Sequence, residues 1–278
     1  MKRKAMGSEH LAVSHALRAS DPFRRFKPEP TQEVRKLEVT GNFAKIREAW
    51  IKWNDHPDLR YYSGDYLVAL AAIEGISISS RDVERFCVLL IEHQDEPIFH
   101  LKSGLFLSAL INSSNDNEFH LSTQHLKERI CNLGYRNKKK IIIDGNLGFN
   151  VGIEMKKGVI LVRGDTYDGV GDKMEGGSII ICGNSSGCDG IGNNMHGGAI
   201  LIKGGVYEFG DIGNGMDGGR ITVQGKKMGE YVDDPVEYIA RIGLVTCGEI
   251  HIFCKYYGLE SVKGGMVYHK GKLIYPNR

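Results

Sequence analysis

Three groups of side chains in this 278-residue chain have the types that chemistry needs. Cys247, His251 and Cys254 are three metal-ligand types close together, enough to begin a zinc site. A strand through them would put Cys247 and His251 on one side and Cys254 on the other. No fourth ligand lies nearby in sequence, so packed strand residues are the expectation. Asp168, Asp189 and Asp211 recur between glycine-rich segments and, if stacked, would offer oxygens to Ca²⁺ or form a surface for sugar chemistry. Turn formation by short polar side chains explains them with less machinery. Trp50, Trp53, Tyr61, Tyr62 and Asp65 make an aromatic–acid group able to hold a small ligand, but no pair among them shows nucleophile or acid–base logic. Cys188 lies in a polar loop without a histidine close in sequence to activate it. None of these groups is read as catalytic, cofactor-binding or metal-binding.

What must position them is a glycine ladder. The segments VGIEMKKGVILVRG, VGDKMEGGSIIICG, IGNNMHGGAILIKG and IGNGMDGGRITVQG stand in register. Their leading glycines are Gly152, Gly171, Gly192 and Gly213, and their methionines Met155, Met174, Met195 and Met216. The closing glycines are Gly164, Gly183, Gly204 and Gly225, and Gly145 extends that series backward. Each series steps by 19, 21 and 21 residues, a period that marks a solenoid. Each unit closes on an alternating strand: Ile160, Ile179, Ile200 and Ile221 share one parity with Val162, Ile181, Ile202 and Val223. Glycine costs about 1 kcal/mol against alanine in a helix interior, and the repeat is too short for helix pairs. A parallel β-helix is predicted, with glycines at corners that need positive φ or close backbone approach and with Ile, Val and Met filling the interior.

One row breaks the alternation. Ile142, Leu161, Ile180, Leu201 and Thr222 have outward parity and would stack into an apolar stripe, which on a monomer marks a covered or binding surface. Either residues 1–140 fold over it or a partner protein does. Arg163, Lys203 and Gln224 belong to the same outward face.

The pattern G-x-x-M-x-G-G-x-I-x-V-x-G over residues 141–225 resembles the glycine-rich (GXGXG) β-helical domain at the carboxyl end of the glutamate synthase large subunit. It is similar also to the C subunit of formylmethanofuran dehydrogenase. The resemblance implies a scaffold that packs against catalytic domains or subunits, with the catalytic residues elsewhere. The glutamate synthase reaction does not carry over: the chain begins Met1-Lys2-Arg3, its first cysteine is Cys87, and neither an iron–sulfur cysteine cluster nor a flavin-domain sequence is present.

The rest of the chain reads as α+β. Residues 1–38 form a basic, flexible arm. Residues 39–137 hold a small all-α domain: a helix from Gly41 or Asn42 to Asn54, another over Asp65–Glu74, a third capped by Ser79 or Ser80 with Asp82 three residues after Ser79 as in a capping box, a fourth after Pro97, and a last one capped by Ser122 and running through Leu126 and Ile130. Residues 138–232 are the right-handed β-helix of about four to five coils. Residues 233–278 are an irregular cap with short strands: a helical turn over Pro235–Ile242, a strand over Leu244–Phe253 and a hairpin around His269-Lys270-Gly271. A net charge of +2 argues against an obligatory nucleic-acid partner. No signal peptide or membrane span is read, and six scattered cysteines favour a reducing, cytoplasmic compartment. The expectation is a non-catalytic scaffold or accessory subunit of a glutamate-synthase-like or related amidotransferase or oxidoreductase assembly. It takes no cofactor and has a protein partner or a homo-oligomeric state. The alternative is a stand-alone enzyme or ligand-binding protein with its site where the helical domain meets the β-helix.

Overall fold

The computed structural model describes residues 41–55, 62–186, 190–207, 210–225 and 239–276. The arm expected over residues 1–38, Tyr61, Cys188, Asp189, the segment 226–238 and the side chain of Tyr62 lie outside them. From Thr40 the chain is one compact unit rather than separate helical and β-helical bodies.

Among the described residues four α-helices come first: α1 (Asn42–Asn54), α2 (Tyr62–Ala72), α3 (Ser80–Leu89) and α4 (Phe99–Ser113). The α3 start is the predicted capping box, in which Ser79 Oγ accepts from the Asp82 amide at 3.2 Å and Asp82 Oδ2 accepts from the Ser79 amide at 3.1 Å. Phe43, Ile46, Trp50 and Trp53 on α1 are buried, as their spacing demands. From Leu105 to Ile111, α4 is buried on every side, which makes it the central helix.

The fifth helix expected at Ser122 does not form. Glu118–Ser122 is strand β1, exposed and buried in strict alternation, with Phe119 and Leu121 inward. A period of two outweighs the cap-like Ser122 because the next strand offers an edge: β1 pairs in parallel with β2 (Lys140–Asp144), Phe119 opposite Ile141. Residues 118–137, assigned above to the helical domain, therefore build the first coil.

The main sheet continues through β3 (Val159–Val162), β4 (Ser178–Ile181), β6 (Ala199–Ile202) and β9 (Arg220–Val223), all parallel and in the predicted register. It does not stop where the period breaks. β11 (Glu249–Ile252) pairs with β9, Ile250 on Ile221, and β13 (Met266–His269) pairs with β11, Val267 on Ile250. β14 (Lys272–Tyr275) then turns back antiparallel to β13, as the predicted hairpin. From β2 to β13 the chain makes about six turns, more than the four to five expected. The supposed irregular cap thus supplies further coils.

Two smaller sheets line the other sides. β5 (Ser185–Ser186) pairs with β7 (Val206–Tyr207), so the corner loops do stack. β8 (Asp211–Ile212), β10 (Ile239–Ile242) and β12 (Lys255–Tyr257) form the third sheet. The helical turn expected at Pro235–Ile242 is, over its described part, the strand β10, because Ile242 is held in register with Ile212.

Two apolar columns fill the interior. Ile141, Ile160, Ile179, Ile200, Ile221 and Ile250 stack in one column, and Met155, Met174, Met195 and Met216 in another, every one with at most 1% exposure. Burying each such side chain is worth about 1.5–3 kcal/mol.

The glycines serve two distinct purposes. Gly152, Gly171, Gly192 and Gly213 have φ from 67° to 71°, the left-handed corner that an L side chain resists. Gly164, Gly183 and Gly204 lack positive φ. A Cβ there would overlap the side-chain oxygen of Asn146, Asp165 or Asn184 one coil below. These three side chains form an unforeseen ladder: Asn146 Oδ1 accepts from the Asp165 amide at 2.8 Å, Asp165 Oδ1 from the Asn184 amide at 2.8 Å, and Asn184 Oδ1 from the Gly205 amide at 2.9 Å. One corner amide per coil is thereby satisfied without water.

The helices close the N-terminal end of the stack. Ser108 Oγ on α4 accepts from the amides of Gly134 and Tyr135 at 2.9 and 3.2 Å, and Asn112 Nδ2 donates to the Tyr135 carbonyl at 3.0 Å. Gly104 lets α4 approach so closely that a Cβ would overlap the Cys131 carbonyl. α3 packs against β1, where Cys87 Sγ donates to the Ser122 carbonyl at 3.3 Å.

Candidate functional site

The outward face of the main sheet is built from three rows, fixed by strand register. The central row is His120, Ile142, Leu161, Ile180, Leu201, Thr222, His251 and Tyr268. On one side run Glu118, Lys140, Val159, Ser178, Ala199, Arg220, Glu249 and Met266. On the other, each carbonyl-to-amide step carries the register onward through Asp144, Arg163, Cys182, Lys203 and Gln224. With rungs about 4.8 Å apart, the central row is on the order of 30 Å long.

Ile142 is buried at 7% exposure, whereas Leu161, Ile180, Leu201 and Thr222 are half-buried. Their shielding comes from one another, since stacked rungs set like side chains in contact along the row. The described helices are not its main source. Their packing is concentrated at β1, at the end of the stack, and not along β3, β4 and β6. Of residues 1–140, expected as one possible cover, the described helices lie at the end of the stack, and residues 1–40 lie outside the described residues. A helix pair joined to β2 through β1 reaches the end of a solenoid more directly than its side.

Charge is arranged around this apolar centre. At the N-terminal margin Lys140 Nζ meets Glu118 Oε1 at 3.0 Å and Arg163 meets Asp144 at 2.9 Å. Towards the other end Arg220 meets Glu249 at 2.6 Å. The bond from Lys140, then that from His120, holds the Glu118 carboxyl below its ordinary range. His251 and then Arg220 do the same for Glu249. Between these pairs lie Val159, Leu161, Ser178, Ile180, Ala199 and Leu201, without a charge. Beside them run Gly158, Gly177 and Gly198, whose corner carries no side chain at all. The result is a two-row strip without charge, with ion pairs at its ends and, along one side, Lys203, whose ammonium donates to Cys182 Sγ at 3.6 Å.

The other sequence candidates are dispersed. His251 lies flat on Tyr268, ring centroids 4.4 Å apart, and meets Glu249 Oε2 through Nε2 at 3.1 Å. Cys247 is exposed, and burial raises the thiol pKa of Cys254. Among the described residues no three His, Cys, Asp or Glu side chains gather as a metal set. Asp211 is not level with Asp168. The bridges Val170–Ile191 and Ile191–Ile212 place it beside Gly190 and Gly169, and its carboxylate is bound by Arg241. The equivalence read from sequence was off by one residue because Asp211 opens a strand rather than a loop. His196 pairs with Asp217 across one coil step at 2.7 Å, both half exposed.

Trp50 and Trp53 are core residues. Trp50 packs edge-on to Phe86 and Phe106 at 5.6 and 5.3 Å, and Trp53 Nε1 donates to the Asp65 carbonyl at 3.1 Å. Tertiary packing against α3 and α4, invisible in the sequence, claims the aromatic surface that a ligand would need. Sequence reasoning also missed Lys102, only 5% exposed, whose ammonium donates to the Asn54 carbonyl at the C-terminus of α1. Burial lowers its pKa, opposed by Asp55, Asp65 and Glu96. The negative end of the helix dipole adds to that opposition, so Lys102 serves as a buried cap.

The fold and this face define a class: a parallel β-solenoid closed at its N-terminal end by helices, with one broad lateral sheet face open among the described residues. No family model, curated protein or solved structure matches the chain. Among the described residues no helix is long and apolar enough to cross a membrane.

Proposed function

We propose that the protein is a scaffold or accessory subunit that docks a partner protein on the Leu161–Ile180–Leu201 strip of the solenoid. The observation that carries this reading is the strip itself: two rows without charge, side-chain-regular and half-exposed, with ion pairs at its ends and Lys203 along one side. A rigid preformed surface loses little conformational entropy on association, so most of its apolar contact is available as affinity. The resemblance of residues 141–225 to the glycine-rich domains of glutamate synthase and formylmethanofuran dehydrogenase supports the same role. It suggests a catalytic subunit of an amidotransferase or oxidoreductase assembly as the partner.

Gentle affinity capture of the native chain, with Leu161→Asp and Leu201→Asp alongside, tests the reading. A stoichiometric partner held by the native chain and lost from both folded variants is expected. Equal capture by all three would refute it.

A further inference from the structure

Cys182 and Lys203 stand side by side on the outward face of the main sheet. Each directly follows a paired strand, β4 for Cys182 and β6 for Lys203, and the Lys203 amide donates to the Ile181 carbonyl at 2.9 Å. That register sets the two side chains on adjoining rungs with the same parity. The Lys203 ammonium donates to Cys182 Sγ at 3.6 Å. Both residues are half-buried, so small solutes reach the sulfur. On the rung before, Arg163 is taken by Asp144. Among the described residues Lys203 has no carboxylate at ion-pair distance, and the thiol is its partner.

The other described cysteines are placed differently. Cys87 and Cys131 are buried and donate to the Ser122 and Arg129 carbonyls. Cys247 and Cys254 flank β11, three rungs from β4 and so roughly 14 Å along the stack. All five described cysteines are free thiols. An oxidised sulfur at Cys182 therefore meets an amine before it meets a described thiol.

We propose that Cys182 and Lys203 form a modification site at which hydrogen peroxide joins the sulfur to the amine as a sulfenamide. The thiolate is the reacting form of cysteine, and a neighbouring lysine ammonium favours it. The sulfur attacks one peroxide oxygen. The O–O bond breaks, sulfur gives up two electrons, and the leaving hydroxide takes a proton from the ammonium. Water, a sulfenic acid and a neutral amine at Nζ result. The amine then attacks the sulfenic sulfur: an S–N bond forms, the S–O bond breaks, and the hydroxyl leaves with a proton from the amine as a second water. Condensation of a sulfenic acid with a nitrogen is ordinary thiol chemistry. Excess thiol reverses it, returning the cysteine and the amine and leaving a disulfide. The link ties β4 to β6 from outside and removes the Lys203 charge from the side of the strip. It needs only the chain and peroxide, so it does not rest on what docks there.

Peroxide treatment of the full chain, then protease digestion and peptide mass spectrometry, tests the proposal. The native chain is expected to yield two peptides joined through Cys182 and Lys203, lighter by two hydrogens than their sum and parted by dithiothreitol. Lys203→Arg separates the two roles of the lysine. A guanidinium keeps the charge and the donor but does not lose its proton. In that variant the joined peptide is expected to vanish, and dimedone to trap the sulfenic acid that accumulates in its place. Cys182→Ser is expected to lose both products. A native chain without the joined peptide overturns the proposal, a result that depends on no variant. So does dimedone labelling of Cys182 that is equal in the native chain and in Lys203→Arg, or a joined peptide that survives in that variant.

Discussion

Alanine at Gly198 isolates what holds one coil on the next. Gly198 has φ 89°, and an added Cβ would stand 2.6 Å from Met174 Cε and 2.8 Å from the Gly177 carbonyl oxygen. Two costs combine. The left-handed backbone costs an L residue about 1–2 kcal/mol. Forcing a methyl into a filled interior costs typically ~1–3 kcal/mol more. Together they come to about 2–5 kcal/mol. Gly271 is the control: its φ is 79° and nothing lies within 4 Å of its added Cβ, so only the backbone cost applies. Equilibrium urea unfolding followed by circular dichroism measures both variants at comparable slope. Gly198→Ala is expected to be the more destabilised by about 1–3 kcal/mol. Met174→Ala removes the clashing Cε, so the double variant should be less destabilised than the two single changes summed, the residual reflecting the Gly177 carbonyl. Equal losses at Gly198 and Gly271, or strict additivity with Met174→Ala, would refute the close-packing argument.

Two further outcomes follow from particular residues. Burial holds the Asp172 carboxyl above its ordinary range, although Lys173 and Asn194 oppose the shift. Its Oδ1 has no hydrogen-bond partner among the described residues. A carboxyl raised in the folded state destabilises the fold above that folded pKa, and the penalty lifts as pH falls towards the unfolded value. Asn193 and Asn214 hold the same place in the next two coils, so Asp172→Asn should raise the melting temperature at neutral pH by roughly 2–4 °C. That gain should shrink on acidification; a gain constant with pH would be evidence against burial as its cause. The thiols should also separate sharply. Burial pushes Cys87 up to about 12 and Cys131 up to about 11, while Cys247 is exposed. Alkylation of the native protein at mildly alkaline pH, read by peptide mass spectrometry, should label Cys247 long before Cys87 or Cys131. Comparable rates would contradict the packing of α3 on β1.

The repeat was legible because a solenoid writes tertiary contact into sequence. Each coil touches mainly its neighbours, so Ile160 must match Ile179, and Gly171 must match Gly192, at a spacing of one turn. That argument yielded the strand register, the apolar interior, the methionine column and the outward row without any coordinates. It stopped where the period stopped. β11 joins Ile250 to Ile221 across 29 residues, and β13 joins Val267 to Ile250 across 17. Neither carries the full glycine signature, and both are rungs because the strand before them offers unpaired amides and carbonyls. The same demand turned Glu118–Ser122 from an expected helix cap into β1.

Corner chemistry was half legible. Glycine at a leading corner is demanded by its own φ and can be read locally. The left-handed Glu154, Lys173 and Asn194 two residues later, with φ from 51° to 53°, carry no such mark. The Asn146–Asp165–Asn184 ladder likewise looked like ordinary turn residues until the coils were stacked. For the site, the sequence by itself determined which side chains share the outward face, since parity along a strand is a local property. Only the tertiary structure decided that the described helices close the end of the coil and, among the described residues, leave that face open. Docking between segments 23 to 35 residues apart depends on shape and buried area, and those leave no period in the chain.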